Sequence, residues 1–412
     1  MSWIKGLLSN RRRVIVISHT GSLGGAELSL LAIVKCMREH NFELIVWVPY
    51  EGVFSTQLRR EGIPVSVHSY PWWMCFQDQA NPAELEPKNQ YSDFLKKAKK
   101  YQPDLIFSQS LVIPWGALLA YDLGIPHFWS VCEWGDLDYS LQFCFDKNST
   151  LRFVHEYSDA VFYVSQSLKD AYCQPPSPGI VTYRGFDLNQ ILTDSRDSRE
   201  MELPAVFFKP DLFLIYCAGT ITPGKGQMDM VEAAAQLQAC GITNFHVLFV
   251  GNDLSLEYRE ALTLEIHKLK LEGLFSFLGW QSQNLFILSR SHLFVSCAKN
   301  EAFGRSVVEA GLIGVPMVIS ASGGHREILG NAHHRLMYKP GNPQELAQKI
   351  KINLLEYEKA VEIACNVHQT IKDIFANSIA YERIIQSILS AGFRVKKPSS
   401  ISSDIERSLR RW

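Results

Sequence analysis

Short runs of β-branched and aromatic residues alternate with amphipathic segments along the first half of the chain. The first run, 14–17, precedes a glycine turn and then apolar residues at i, i+3, i+4 and i+7, the spacing of one helix face. These apolar residues are Leu30, Ile33, Val34 and Met37. Further strands are predicted at 44–48, 64–67, 104–107, 128–131, 160–164 and 180–183. This alternation predicts a parallel, doubly wound α/β sheet.

A polar stretch with two prolines, 187–210, interrupts the pattern and predicts a connection between domains. Alternation then resumes, and a second α/β domain follows. Its strands are predicted at 212–217, 246–250, 275–278, 293–296, 317–319 and 336–338. The chain is predicted to be helical from 343 to about 389, and the polar, basic end from 391 to 412 is predicted to be flexible.

Composition narrows the class of protein. The chain has 412 residues, 47% of them hydrophobic, which is enough for two cores. Its 41 basic and 42 acidic residues give a net charge of -1, so general binding of nucleic acid is not expected. The nine cysteines form no CxxC pair and are interpreted as reduced, without a structural zinc. No apolar run approaches the roughly 18 residues of a membrane span, which predicts a cytoplasmic protein.

The amino-terminal segment combines basic and apolar residues in the order opposite to that of a secretory signal, with the charges after the apolar stretch. Lys5 and the basic run 11–13 stand beside the apolar Trp3, Ile4, Leu7 and Leu8. Such a segment could lie on anionic lipid at the inner face of a membrane, and an ordinary frayed terminus is the alternative.

Two glutamates, Glu301 and Glu309, stand eight residues apart across a predicted helix start. Eight helical residues span about 12 Å, comparable to the distance from hexose to ribose in a nucleotide-sugar. Between them, Phe303, Gly304 and Arg305 bring backbone N–H groups and the positive helix end to where a diphosphate would lie. A surface helix with two solvated glutamates is the alternative.

Three glycine-rich turns accompany these glutamates. Lys225 lies in a PGKG turn between a predicted strand and helix, where an ammonium group suits a phosphate. A second turn contains Gly323 and Gly324. The third, with Gly21, Gly24 and Gly25, departs from GxGxxG, so a dinucleotide-dependent dehydrogenase is not favoured.

The segment EAFGRSVVEAGLIGVPMVISASGGHREIL, with the turns above, resembles family 4 of the retaining glycosyltransferases, also described as glycosyl transferases group 1. The resemblance implies the GT-B fold, two Rossmann-like domains facing a central cleft. It implies that Glu301 contacts the donor hexose, Glu309 the ribose and Lys225 the diphosphate. Gly24 and Gly25 match the loop that closes over the diphosphate.

The resemblance also assigns roles to regions of the chain. Residues 1–190 would form the acceptor-side domain, 191–210 a linker and 211–375 the domain that binds the nucleotide-sugar. A helix at 376–390 would return to the first domain, ahead of the flexible tail 391–412.

Two positions depart from the family pattern. Thr220, among the predicted donor-binding residues, stands where many members have a second diphosphate-binding arginine. Arg305, Arg184 or Arg326 could replace that arginine, or the enzyme could bind its donor more weakly. Cys132 stands where many have a histidine near the sugar. A subset has an acidic residue one step on, matched by Glu133, for which an active-site role and a structural role at a strand end both remain open.

The sequence therefore predicts a metal-independent, retaining transfer of a hexose from a nucleoside diphosphate sugar to a hydroxyl of a glycan or lipid-linked acceptor. Glu301, Lys225 and Glu133 are the predicted catalytic residues, and no cofactor is expected. The histidines at 19, 127, 155 and 325 lack metal-ligand spacing. A nucleotide-sugar epimerase of the same architecture and a non-catalytic nucleotide-sugar-binding protein are the alternatives.

Overall fold

The computed structural model describes residues 11–76, 90–197, 204–330, 335–376, 379–390 and 398–411. They form two compact units. Unit 1 comprises the chain up to Asp136, Leu141–Arg184 and the part from Ile379 onward, and unit 2 comprises Leu137–Ser140 and Gly185–Ser378. The candidate membrane-binding segment with Lys5 lies outside the described residues, apart from its basic run 11–13.

The described residues contain strands and helices in alternation. The strands are β1 Arg13–Ile17, β2 Glu43–Val48, β3 Val65–Val67, β4 Met74–Cys75, β5 Leu105–Gln109, β6 His127–Val131, β7 Gln142–Phe143, β8 Ala160–Tyr163, β9 Gly179–Val181, β10 Phe213–Ala218, β11 Phe245–Val250, β12 Phe275–Gly279, β13 Leu293–Ser296, β14 Met317–Ser320 and β15 Met337–Tyr338. The α-helices are α1 Gly25–Glu39, α2 Val53–Arg60, α3 Gln90–Tyr101, α4 Trp115–Leu123, α5 Lys147–Glu156, α6 Gln166–Tyr172, α7 Leu188–Asp194, α8 Gln227–Ala239, α9 Leu256–Lys268, α10 Asn284–Ser289, α11 Arg305–Ile313, α12 Gly323–Leu329, α13 Pro343–Leu355, α14 Tyr357–Phe375, α15 Ile379–Ser390 and α16 Ser400–Leu409.

Unit 1 is built on a seven-stranded sheet in the order β3-β2-β1-β5-β6-β8-β9, in which every neighbouring pair is parallel. The central strands are near-continuous apolar runs, as expected for a sheet with helices on both faces. The predicted apolar face of α1 is buried from Leu30 to Met37, and each such side chain contributes about 1.5–3 kcal/mol of hydrophobic stabilisation. The strands predicted in this half are confirmed.

The carboxyl-terminal helices α15 and α16 belong to unit 1. The prediction of a flexible tail over 391–412 is wrong for α16, while 391–397 lie outside the described residues. Ile405 and Leu409 are buried one turn apart, and α16 packs on α5. Arg410 donates two hydrogen bonds to Asp122, at 2.6 and 2.5 Å. The sequence analysis treated this ten-residue segment as polar and basic, but its two buried apolar residues lie on one face and pack the helix against unit 1.

Unit 2 contains a six-stranded parallel sheet in the order β12-β11-β10-β13-β14-β15. The order reverses between β10 and β13, so the loops after these two strands diverge and leave a crevice at the carboxyl edge. The same reversal occurs in unit 1 between β1 and β5. The predicted doubly wound architecture is confirmed in both units.

Two boundaries differ from the prediction. The segment that follows Arg184 begins with a helix rather than an irregular linker, because α7 belongs to unit 2, packs on α10 and α11, and buries Ile191. The predicted linker 191–210 therefore begins inside a helix, although 198–203 lie outside the described residues. The predicted first domain, 1–190, is also interrupted, since Leu137–Ser140 belongs to unit 2. Among the described residues, no helix has both the length and the apolar character needed to cross a membrane.

Candidate functional site

The crevice of unit 2 contains a buried ion pair between Lys225 and Glu301. Lys225 Nζ donates to Glu301 Oε2 at 2.8 Å, and the two side chains are only 13% and 14% exposed. Burial disfavours charge on Lys225, but Glu301 and its acidic surroundings outweigh that effect and raise the pKa of the lysine. Burial likewise opposes ionisation of Glu301, yet Lys225 lowers the pKa of the glutamate. Both groups are therefore charged at neutral pH.

The loop Leu137–Ser140 packs against the turn that carries Lys225. The Asp138 carbonyl accepts a hydrogen bond from Thr222 Oγ1 at 3.2 Å, and a Cβ at Gly224 would lie 2.4 Å from the same oxygen. Only glycine fits there without a backbone shift. The Tyr139 ring centroid is 5.8 Å from Lys225 Nζ, within cation–π distance. Sequence analysis missed this loop, because no motif links it to a turn more than 80 residues later.

Glu309 has its own cation, since Arg305 Nε lies 2.8 Å from Glu309 Oε1. The Arg305 guanidinium also lies 4.6 Å from the centroid of the Phe186 ring. Burial raises the pKa of Glu309, and Arg305 partly offsets that rise. Glu309 is thus buried and Glu301 is 14% exposed, and each pairs with a cation. The alternative of a surface helix with two solvated glutamates is wrong.

The start of α11 depends on Gly304. This residue has a φ of 104°, in the left-handed region, and a Cβ there would lie 2.7 Å from the His325 ring. The preceding Phe303 is buried and packs its ring against those of Phe186 and Phe375, with centroids 6.3 and 5.8 Å away. The turn between the two glutamates is thus fixed by aromatic packing on one side and by a close approach to His325 on the other.

His325 lies beside the Lys225–Glu301 pair. The spacing of the histidines in the sequence does not indicate this position. It is fully buried, with Nδ1 3.0 Å from the Ser320 carbonyl oxygen. Burial lowers the pKa of His325, although Glu301 acts in the opposite direction. Nε2 is buried and has no hydrogen-bond partner in the described part of the chain. His325 is therefore neutral at physiological pH.

Thr220 and the three candidate replacement arginines occupy different environments. Thr220 Oγ1 is buried and unbonded among the described residues. Arg305 is committed to Glu309, and Arg326 Nε donates to the Ala321 carbonyl at 2.8 Å. Arg184 lies in unit 1, where it is 3% exposed and its Nη2 is 3.5 Å from Ser130 Oγ. Of the three arginines, only Arg305 is in contact with a predicted donor-binding carboxylate.

The remaining predicted residues lie in unit 1, after β1 and β6. Gly24 and Gly25 are exposed at the start of α1. The Gly24 amide donates to Glu27 Oε2 at 3.1 Å, and Glu27 Oε1 is 3.3 Å from His19 Nδ1. Burial raises the pKa of Glu27, with His19 lowering it in part. Sequence analysis missed Glu27, although its place three residues after Gly24 is that of a capping-box glutamate.

Glu133 is buried, and both of its carboxylate oxygens accept hydrogen bonds from groups within unit 1. Oε1 accepts from Ser110 Oγ at 2.6 Å and from the Leu111 amide, and Oε2 accepts from Cys132 Sγ at 2.8 Å. Ser110 has a φ of 85°, which is costly for a residue other than glycine. These contacts stabilise that backbone and favour the structural alternative for Glu133.

Comparison with known families accounts for both halves of the chain. The sequence model described as Glycosyl transferases group 1 matches residues 199–369, and that described as Glycosyltransferase Family 4 matches residues 23–190. The chain belongs to the group 1/family 4 glycosyltransferases. The two matched ranges of this glycosyltransferase include every residue predicted for its site.

One relative matches most of the length of the glycosyltransferase, and another matches about half of it. An N,N'-diacetylbacillosaminyl-diphospho-undecaprenol alpha-1,3-N-acetylgalactosaminyltransferase of Campylobacter jejuni is 24% identical over 400 residues, covering 91% of this chain and 100% of that protein. The lipopolysaccharide core biosynthesis glycosyltransferase LpsE of Rhizobium meliloti is 22% identical over 194 residues, 47% of this chain and 53% of that protein.

Solved structures establish the GT-B fold. Anabaena HepE in complex with UDP and glucose has a TM-score of 0.75 and 24% identity, covering 92% of this chain and 100% of that one. WaaG, a glycosyltransferase involved in lipopolysaccharide biosynthesis, has a TM-score of 0.63 and 14% identity, covering 92% and 100%. The predicted fold and family are confirmed, and the comparisons give no support to an epimerase.

Proposed function

We propose that this glycosyltransferase moves a hexose, with retention of configuration, from a nucleoside diphosphate sugar to a hydroxyl of a glycan or lipid-linked acceptor. HepE has been solved with UDP and glucose, which supports a UDP-sugar as the donor. The name of the Campylobacter jejuni relative specifies an undecaprenol diphosphate-linked acceptor, which supports a lipid-linked acceptor here.

The observation that carries the proposal is the buried Lys225–Glu301 pair, with Glu309 eight residues further along the chain. In the proposed complex the diphosphate binds Lys225, the hexose lies at Glu301 and the ribose diol binds Glu309. A carboxylate that accepts two hydroxyl hydrogen bonds forms charge-assisted contacts, which are the stronger kind. Burial makes each of these charges act through a medium of low dielectric constant.

Catalysis in this proposal is electrostatic. As the glycosidic bond loosens, negative charge grows on the departing diphosphate, and Lys225 and the amides at the start of α11 bind it most strongly at that moment. Glu301 orients the hexose and stabilises positive charge near its anomeric carbon. The acceptor attacks on the face that the diphosphate leaves, and the diphosphate takes the acceptor's proton. The proposal assigns these roles to protein groups and includes no metal ion.

Incubation of the purified full chain with a panel of nucleoside diphosphate sugars tests the proposal. With an acceptor present, we expect free nucleoside diphosphate and a glycosylated product whose anomeric configuration, read by NMR, matches that of the donor. An isomerised sugar without release of nucleotide would instead indicate an epimerase. Binding without either product, across lipid-linked and free glycan acceptors, would indicate a non-catalytic protein.

A further inference from the structure

Three side chains with metal-binding atoms meet in unit 1, away from the site described above. Cys36 and His40 stand one turn apart at the end of α1, and Glu382 faces them from α15. One ligand atom from each lies within 4.8 Å of the others. Cys36 Sγ is 3.9 Å from Glu382 Oε1, and His40 Nε2 is 3.1 Å from Glu382 Oε2. A thiol, an imidazole and a carboxylate therefore surround one point.

The imidazole of His40 is already oriented as a ligand. Its Nδ1 lies 2.9 Å from the Cys36 carbonyl oxygen and 3.9 Å from Cys36 Sγ, and an Nε2 proton donates to Glu382 Oε2 at 3.1 Å. A cation that replaced this Nε2 proton would be bound by Nε2 while an Nδ1 proton donates to the carbonyl oxygen. Metal-binding histidines commonly donate their other ring nitrogen to a backbone carbonyl in this way, because the contact fixes both tautomer and ring orientation.

The charges around Cys36 favour a cation. Cys36 is 5% exposed, and a carboxylate oxygen of Glu382 lies 3.9 Å from its sulfur. A divalent cation at the centre would offset the acidic charge and favour the thiolate, releasing the thiol proton to solvent.

The packing of α15 keeps the three groups together in the absence of a cation. Its Ile384, Ile385 and Ile388 are buried in the core of unit 1 that also contains Cys36. Glu382 is 346 residues from Cys36 along the chain, so a shared ligand would link the two ends of unit 1. No sequence spacing could have indicated this cluster, because only Cys36 and His40 are close in the chain.

We propose that Cys36, His40 and Glu382 form a zinc site that fastens α15 to α1. Thiolate and imidazole ligands select zinc over magnesium or calcium, and three protein ligands leave one position of a tetrahedral site for water. His40 lies at the surface, which gives that water and the entering ion access. A hydrogen-bonded His40–Glu382 pair beside an inert core cysteine is the alternative that the experiment must exclude.

Titration of the metal-stripped full chain with Zn²⁺, in competition with a chromophoric chelator, tests the site. We expect one zinc ion per chain, and at least about ten-fold weaker binding in Cys36→Ser, His40→Gln and Glu382→Gln. Co²⁺ in place of zinc should give a thiolate-to-cobalt charge-transfer band that Cys36→Ser abolishes. Cys365→Ser and His267→Gln remove an exposed thiol and an exposed imidazole from unit 2 and should bind zinc as the unmodified chain does.

Absence of zinc binding in the unmodified chain, or equal binding in the ligand and control variants, would overturn the proposal. So would a charge-transfer band that survives in Cys36→Ser. A variant at the buried Cys36 could fail to fold. His40→Gln changes a surface side chain, so this variant, once circular dichroism shows that it is folded, tests the site independently of Cys36. No sugar donor is present, and failure of the zinc site therefore leaves the proposed sugar transfer untouched.

Discussion

Replacement of Glu301 by glutamine separates sugar transfer from nucleotide binding. The substitution keeps the size of the side chain but removes the negative charge that pairs with Lys225 at 2.8 Å. If Glu301 acts on the hexose, then transfer should fall while the site for the nucleoside diphosphate remains. Because Lys225 is no longer neutralised, its ammonium should be more available to a diphosphate.

The distance between Lys225 and Glu301 allows the expected changes in nucleotide affinity and in sugar transfer to be estimated. At 2.8 Å the attraction between Lys225 and Glu301 is about 6 kcal/mol at an effective dielectric constant of about 20. The free-energy cost of desolvating the two charges offsets much of this attraction. If about 1.4 kcal/mol remains as competition with the incoming ligand, affinity for the free nucleoside diphosphate should rise up to about ten-fold in Glu301→Gln. Loss of the charge next to the anomeric carbon should lower kcat by about two orders of magnitude.

The assay measures turnover with the true donor and, in parallel, nucleoside diphosphate binding by calorimetry on the folded variant. Glu309→Gln is the matched control, because it removes a buried carboxylate that pairs with a different cation. We expect this control to lose nucleotide affinity. Normal turnover in Glu301→Gln, or loss of nucleotide binding there, would refute the placement of Glu301 at the sugar.

The other substitutions test one contact each. Lys225→Ala should lower kcat more than it raises the donor KM, since charge on the diphosphate grows in the transition state; a change in KM alone in steady-state kinetics would contradict this. Glu309→Ala should weaken nucleoside diphosphate binding about ten-fold or more, and unchanged affinity in calorimetry would remove the ribose assignment. Tyr139→Leu should reduce the rate of sugar transfer about two- to five-fold, which corresponds to the loss of one cation–π contact. An unchanged transfer rate would show that the Tyr139 ring does not contribute to catalysis. Glu133→Gln should cost about 1.5–3 kcal/mol in denaturant unfolding and leave kcat unchanged; a fall in kcat at full stability would restore its catalytic role.

The fold could be predicted because parallel strands buried on both faces leave a strong signal. β10 is a six-residue apolar run, β11 is a six-residue run in which His246 is the one polar residue, and each strand is followed by a turn and a helix. Shorter elements left no such signal. The antiparallel pair β4 and β7 has two residues in each strand, too few for a period to appear. In α16 the sequence around the two buried apolar residues, Ile405 and Leu409, is mostly polar and basic, so the sequence analysis predicted a flexible tail.

Motif spacing predicted candidate residues that the structure of unit 2 brings together, but it did not predict which of them pair. Motif spacing selected Glu301, Glu309, Lys225 and Arg305, yet 76 residues separate Lys225 from Glu301, and only the crossover between β10 and β13 brings them together. For Glu133 the sequence left two roles open, because its hydrogen-bond partners in the 110–111 loop precede it by more than 20 residues. Tertiary contacts of this kind carry no local signature.

The main-chain contacts that hold the candidate site suit the electrostatic catalysis proposed above. Charges that stabilise a transition state act best when they are fixed before the reaction, so that no reorganisation is needed as charge develops. Here the main chain provides that rigidity: the Gly324 amide donates to the Glu301 carbonyl at 2.9 Å, and the Lys299 amide donates to the Gly224 carbonyl at 2.8 Å. The turn of Lys225 and the turn of Glu301 are thus each tied to a neighbouring loop by backbone hydrogen bonds. In the proposed complex, a diphosphate that separates the two side chains would therefore displace only the ends of these side chains. We expect exposure of Lys225 to cost the loss of one ion pair rather than a rearrangement of these turns.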